Sequence, residues 1–198
     1  MPKTIVTIGP EDHGRRMSLA EFDRAEGQEG YLYELSRGVI IVSDVPNVRH
    51  FAQVNATRRQ FAAYDLSHPG EIYGIASGSE CKILLADFES ERHPDLSIYT
   101  TPPPASNQVW ATWIPAIVIE VVSHGSEERD YLLKPEEYLQ FGVKEYWVLD
   151  ASREEMLVHR RSRARWTEHV VRPPAVYRTR LLPGFEFKCE LVFQAARA

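Results

Sequence analysis

The chain has 198 residues, enough to bury a full core in one domain with short appendages. Its formal net charge of −5 argues against a protein that coats nucleic acid through overall electrostatics, while local basic patches can still meet phosphates. No apolar stretch approaches the ~18 residues needed to span a bilayer, and Met1-Pro2-Lys3-Thr4 lacks the apolar segment of a signal peptide. Cys81 and Cys189 stand without CxxC or Cys/His spacing, which argues against structural zinc and against a disulfide framework. A cytoplasmic protein without membrane contact is expected.

Residues 1–29 read as a polar N-terminal extension carrying one short helix, Ser18 to Phe22, with Ser18 as cap and Glu21 completing a capping box. The ordered domain is expected over 30–198. Tyr31–Leu35 and Val39–Val42 flank a tight turn that uses Gly38 for a positive φ. From His50 to about Tyr64, Phe51, Val54, Arg58, Phe61 and Ala62 follow helical spacing, and the helix should lie on a sheet. Strands are expected at Glu71–Ile75, Lys82–Leu85 and Asp95–Tyr99. Prolines keep Thr100–Asn107 an extended loop, and Trp110 and Trp113 beside it read as exposed aromatics that could mark a homodimer contact. After a further strand around Glu120, Tyr131 to Phe141 reads as a helix ending near Gly142; Pro135 belongs in a first turn, so the helix starts between Asp130 and Lys134. Glu145–Leu149, Met156–Arg160 and Trp166–Val171 complete the strands. The basic turn Arg160-Arg161-Ser162-Arg163-Ala164-Arg165-Trp166 suits phosphate contact and stacking, or a solvated hairpin.

The residue that points to chemistry is Glu120, inside Ala116-Ile117-Val118-Ile119-Glu120-Val121-Val122. A run this apolar reads as a strand covered on both faces, where a carboxylate is rare unless a cation pairs with it. Asp95 opens one strand and Glu120 lies near the end of the next. If the two pair antiparallel, both carboxylates meet at one edge. Adjacent carboxylates repel unless a cation is present, and oxygen ligands of this type suit magnesium or manganese. Lys134, at the start of the following helix, can reach the same pocket. A metal held by two carboxylates, with a lysine, is a constellation for phosphodiester hydrolysis.

Tyr33-Glu34-Leu35 with Gly38, His50 at a helix start, Pro94-Asp95, Glu120-Val121-Val122-Ser123, Asp130, Lys134, Tyr138 and the segment Gly142 to Asp150 resemble the Uma-two-type family of restriction endonucleases. That family belongs to the PD-(D/E)XK nuclease superfamily, and the likeness runs from about residue 18 to Phe185, with Leu182-Pro183-Gly184-Phe185 resembling its C-terminal signature. The resemblance implies an α/β (α+β) fold, a restriction-endonuclease-like mixed sheet flanked by helices, and a magnesium-dependent endonuclease acting on DNA. It implies Asp95 and Glu120 as metal ligands, Lys134 as the lysine, displaced because Val122 stands where the superfamily places it, and Glu34 as an auxiliary acid. Asp130 either orients Lys134 or caps the helix.

Alternatives stand beside each role. Asp95 could bond amides of its own turn; Glu120 could form an inert buried pair with Lys134 or Arg129; Glu34 could face solvent; His50 reads as a satisfied structural histidine. The rival function is a nuclease-fold module that binds nucleic acid or a protein without turnover.

Overall fold

A computed structural model describes residues 6–197. The chain runs β1 (Thr7–Ile8), α1 (Leu19–Phe22), β2 (Glu26–Gly27), β3 (Tyr31–Ser36), β4 (Val39–Asp44), α2 (Val48–Ser67), β5 (Gly74–Ala76), β6 (Ile83–Leu85), β7 (Ser90–Arg92) and β8 (Leu96–Tyr99). It continues through α3 (Val109–Thr112), β9 (Ile117–Val121), α4 (Lys134–Phe141), β10 (Glu145–Asp150), β11 (Glu155–Ser162), β12 (Arg165–Val171) and α5 (Cys189–Ala195). Two compact units result. One holds the residues up to Pro46 with Lys82–His93, the other Asn47–Cys81 with the residues from Pro94 onward.

The first unit is built on an antiparallel sheet ordered β4-β3-β7-β6. Its central hairpin turns at Arg37 and Gly38, with φ of 52° and 75°. Positive φ at both central residues gives a turn whose twist matches the flanking strands. Ser18 and Glu21 form the expected capping box on α1, which turns Phe22 into a small core with Ile8, Leu35 and Ile40. β7 carries the polar sequence Ser-Glu-Arg and is nevertheless buried. Its Arg92 is satisfied by the Ser36 hydroxyl, to which it donates at 2.8 Å.

The second unit carries a mixed six-stranded sheet, β12-β11-β10-β9-β8-β5, in which β9 and β10 are parallel and every other pairing is antiparallel. Strand alternation sends Ile117, Ile119 and Val121 of β9 to one face, where Trp147 and Leu149 join them. Phe61 and Tyr64 of α2 and Val192 and Phe193 of α5 close this core. The opposite face presents Glu120 and Tyr146 to α4, whose Tyr138 meets Tyr146 edge to face with ring centres 5.0 Å apart. Both faces of β9 are therefore covered, which is why its sequence is a continuous apolar run rather than an alternating one.

A π-helical turn over Arg129–Leu133 leads into α4, and Pro135 falls in the first turn of that helix. Gly142 ends α4 with φ of 106°, and a Cβ there would stand 3.0 Å from Ile114 Cδ1. Gly142→Ala should lower stability by about 1–2 kcal/mol, the cost of a left-handed residue with a side chain. Urea unfolding measures it, and an unchanged midpoint would contradict the assignment.

Three local expectations are corrected. The strand expected from Glu71 begins only at Gly74, because the Glu71 amide still donates to His68 O in the turn that closes α2. Trp110 and Trp113 are half-buried rather than exposed. Trp113 stacks on Tyr99 at 3.9 Å and donates its indole N–H to Thr101 O. At the basic hairpin, Trp166 donates to Pro135 O at 2.7 Å, so its ring packs on the start of α4 instead of standing clear for stacking.

Candidate active site

The expected antiparallel pairing of β8 and β9 is present, with Leu96 opposite Ile119. Continuing that register by one residue sets Asp95 opposite Glu120. Asp95 Oδ2 accepts the Val121 N–H at 2.8 Å, a bond across to the neighbouring strand rather than within its own turn. Asp95 Oδ1 lies 2.9 Å from His50 Nε2. His50 is placed by the start of α2, where Asn47 caps the helix by accepting the His50 N–H at 2.9 Å.

Glu120 is buried and is met from α4. Lys134 Nζ stands 3.0 Å from Glu120 Oε1 and 2.8 Å from Asp130 Oδ1, and Tyr138 donates its hydroxyl to Glu120 Oε1 at 2.9 Å. Asp130 and Lys134 are four residues apart, so helical geometry puts them on one face. Asp130 thus pairs with Lys134, and its other oxygen accepts the Ser126 hydroxyl at 2.6 Å. With one lysine between two buried carboxylates and two hydroxyls supporting them, the cluster satisfies the rule that buried charge be paired and hydrogen-bonded.

Of the four residues singled out in sequence, Asp95, Glu120 and Lys134 lie in this network of the second unit. Glu34 belongs to the first unit, where it accepts the His93 N–H at 3.1 Å and lies 3.5 Å from Arg92 Nη1. His50 was read as structural and instead contacts Asp95; the only signal in sequence was its place at a helix start. Ser126 gave no signal, since a serine in a polar loop has many local uses. Burial disfavours a charged His50, yet the bond to Asp95 and the carboxylates of Asp95, Glu120 and Asp130 outweigh it and raise its pKa above the ordinary value.

Among the described residues, no three His, Cys, Asp or Glu side chains gather as ligands for one ion. The donor chemistry suits magnesium nonetheless: that ion commonly takes one or two carboxylates and fills its remaining positions with water and substrate phosphate. Asp95 and Glu120 supply such a pair of hard oxygen donors, and the Asp95 side chain is 22% exposed, which leaves a route from solvent.

A cleft of about 310 Å³ opens beside His50, lined by the first turns of α2 and the residues after β9 and β10, Asp150 among them. Burial opposes ionisation of Asp150, but Ser152 N–H and hydroxyl, Arg153 N–H and the Tyr131 hydroxyl all donate to it. These bonds hold its pKa below the ordinary 3.8. A carboxyl with a depressed native pKa adds stability above its unfolded value and loses it as pH falls through the native one. The stability of wild type should therefore fall more steeply below about pH 4 than that of Asp150→Asn. Urea unfolding across that range tests this, and parallel curves would contradict it.

The mixed sheet, helices on both faces and paired carboxylates at one strand edge define a nuclease-fold protein. In line with this, the chain is similar to a crystal structure described as "a putative nuclease belonging to DUF820 from Anabaena variabilis ATCC 29413", with a TM-score of 0.72 at 17% identity over 91% of this chain and 99% of that one. The model of the Uma2 family, described as "Putative restriction endonuclease", matches residues 19–191, and the chain belongs to that family. No curated protein matches it.

Proposed function

We propose that this chain is a magnesium- or manganese-dependent endonuclease that hydrolyses DNA phosphodiester bonds. The observation that supports it most is the anchoring of Asp95 on the Val121 amide, one residue along from Glu120. Asp95 and Glu120 would hold the ion, with Glu34 as the auxiliary acid of the family pattern. When bound, the ion would lower the pKa of an attacking water and offset charge on the phosphate. Lys134 keeps its ammonium beside Glu120 and offers positive charge to the phosphate oxygens. Asp130 and Ser126 hold Lys134 in place, and His50 fixes the Asp95 carboxylate. A homodimer would let two such sites address two strands; sedimentation of a monomer at working concentration would count against that assembly.

Incubation of supercoiled plasmid with the protein and magnesium or manganese should give nicked or linear DNA, abolished by chelator. The second reading, a binding module without turnover, draws on the way Lys134 and Glu120 already neutralise each other. Manganese calorimetry separates the two. Saturable binding that disappears in Glu120→Gln supports the enzyme, whereas no binding at millimolar metal together with intact plasmid supports the module.

A further inference from the structure

We propose that the cleft beside His50 seats one nucleotide of the DNA strand and reads an amino group on its base through Gln53. This rests on the nuclease reading and extends it to substrate selection.

Gln53 lines the cleft and is 4% exposed. Its Nε2 donates to Arg49 O at 3.2 Å, which fixes the orientation of the amide and turns the carbonyl oxygen outward. That oxygen has no hydrogen-bond partner among the described residues. A buried acceptor left without a donor is costly, so the ligand that completes it must bring an N–H or O–H.

The rest of the cleft asks for an anion on the same ligand. α2 is 20 residues long and begins here, so its first amides lack intrahelical acceptors and its positive dipole end faces the opening. Phosphate is the usual occupant of such a helix start. Arg49 and His124 line the same space and add cationic or donor groups. The two acids in the lining are already engaged: Glu127 accepts the Gly125 N–H at 2.8 Å, and Asp150 holds the four donors described above. A single acceptor at depth and an anion site at the mouth match a nucleotide, base inward and phosphate outward. The volume, about 310 Å³, lies at the small end of ligand pockets.

The amide carbonyl accepts and cannot donate toward the cleft, so it distinguishes bases. The amino group of cytosine satisfies it, whereas thymine carries a carbonyl at the same ring position. A site built for a donor rejects the analogue that presents an acceptor.

Calorimetric titration of the full chain with deoxycytidine and thymidine 5′-monophosphates, without metal, reads this directly. Wild type should bind the cytidine nucleotide about tenfold tighter. Gln53→Met should bring that ratio close to one, and Arg49→Gln should weaken both nucleotides alike. If the Gln53 variant does not fold, the wild-type ratio decides alone. Equal affinities in wild type, or no binding at millimolar nucleotide, would overturn the subsite and leave Gln53 as a residue satisfied by buried water. Plasmid cleavage by the same preparation keeps the outcomes apart: cleavage without discrimination retains the nuclease and discards the subsite, and discrimination without cleavage does the reverse.

Discussion

Glu120→Gln and Asp95→Asn are each expected to reduce metal-dependent plasmid cleavage by about 10³-fold or more. An ion that polarises a phosphate is worth several kcal/mol of barrier, and each 1.36 kcal/mol is tenfold. Loss of either carboxylate charge removes most of that affinity. The Glu120 substitution should spare the fold, for two reasons visible in the cluster. Lys134 keeps Asp130 at 2.8 Å as its counter-charge, and the Tyr138 hydroxyl that donates to Glu120 Oε1 can donate equally to an amide oxygen. Asp95→Asn keeps an acceptor for the Val121 N–H. Cleavage rates near wild type in either variant, with unfolding curves unchanged, would exclude these two residues as metal ligands.

The second large effect is on stability and comes from the other side of the same cluster. Lys134→Met removes the cation between Glu120 and Asp130 while leaving both carboxylates buried. Breaking a buried ion pair from one side costs about 3–5 kcal/mol, because the remaining charge has lost its partner and cannot regain water. Here two carboxylates lose that partner at once. Urea unfolding at neutral pH should show the loss, and lowering the pH toward the carboxylate range should recover part of it, since protonation neutralises the orphaned acids. Replacing all three residues by apolar ones of similar size should be far less costly than removing the lysine alone. A Lys134→Met protein as stable as wild type would mean that the three side chains are not coupled as drawn.

These expectations separate two properties of one site. The lysine is required for the fold to tolerate the acids, and the acids are required for the proposed chemistry. Asymmetric outcomes, with activity lost in Glu120→Gln and stability lost in Lys134→Met, are what that arrangement predicts.

Much of this site was legible in the sequence for a physical reason. Burial of a carboxylate in a run such as Ile117 to Val121 is expensive, so its presence signals a partner before any coordinates are known. Pro135 limits where the next helix can begin, which put Lys134 within reach of the strand end. The order of β9, α4 and β10 followed from apolar runs broken by Gly125 and Gly142. What stayed hidden depended on pairing across long separations. β7 is Ser-Glu-Arg, and nothing in three polar residues announces a buried strand until Arg92 is seen to donate to Ser36. The return of Lys82–His93 to the first unit has no local marker. α5 went unread because Cys189 to Ala195 is short and its apolar residues also suit a strand. The contact of His50 with Asp95 spans 45 positions, and one histidine at a helix start does not reveal where its ring will point.

The central claim is that Asp95 and Glu120 hold one divalent ion between them. Manganese soaked into crystals of the full chain, located by its anomalous scattering, tests it most directly. A peak bound by both carboxylates is the predicted result; a chain that is saturated with manganese yet shows its peak elsewhere, with Glu120 still paired only to Lys134 and Tyr138, would contradict it.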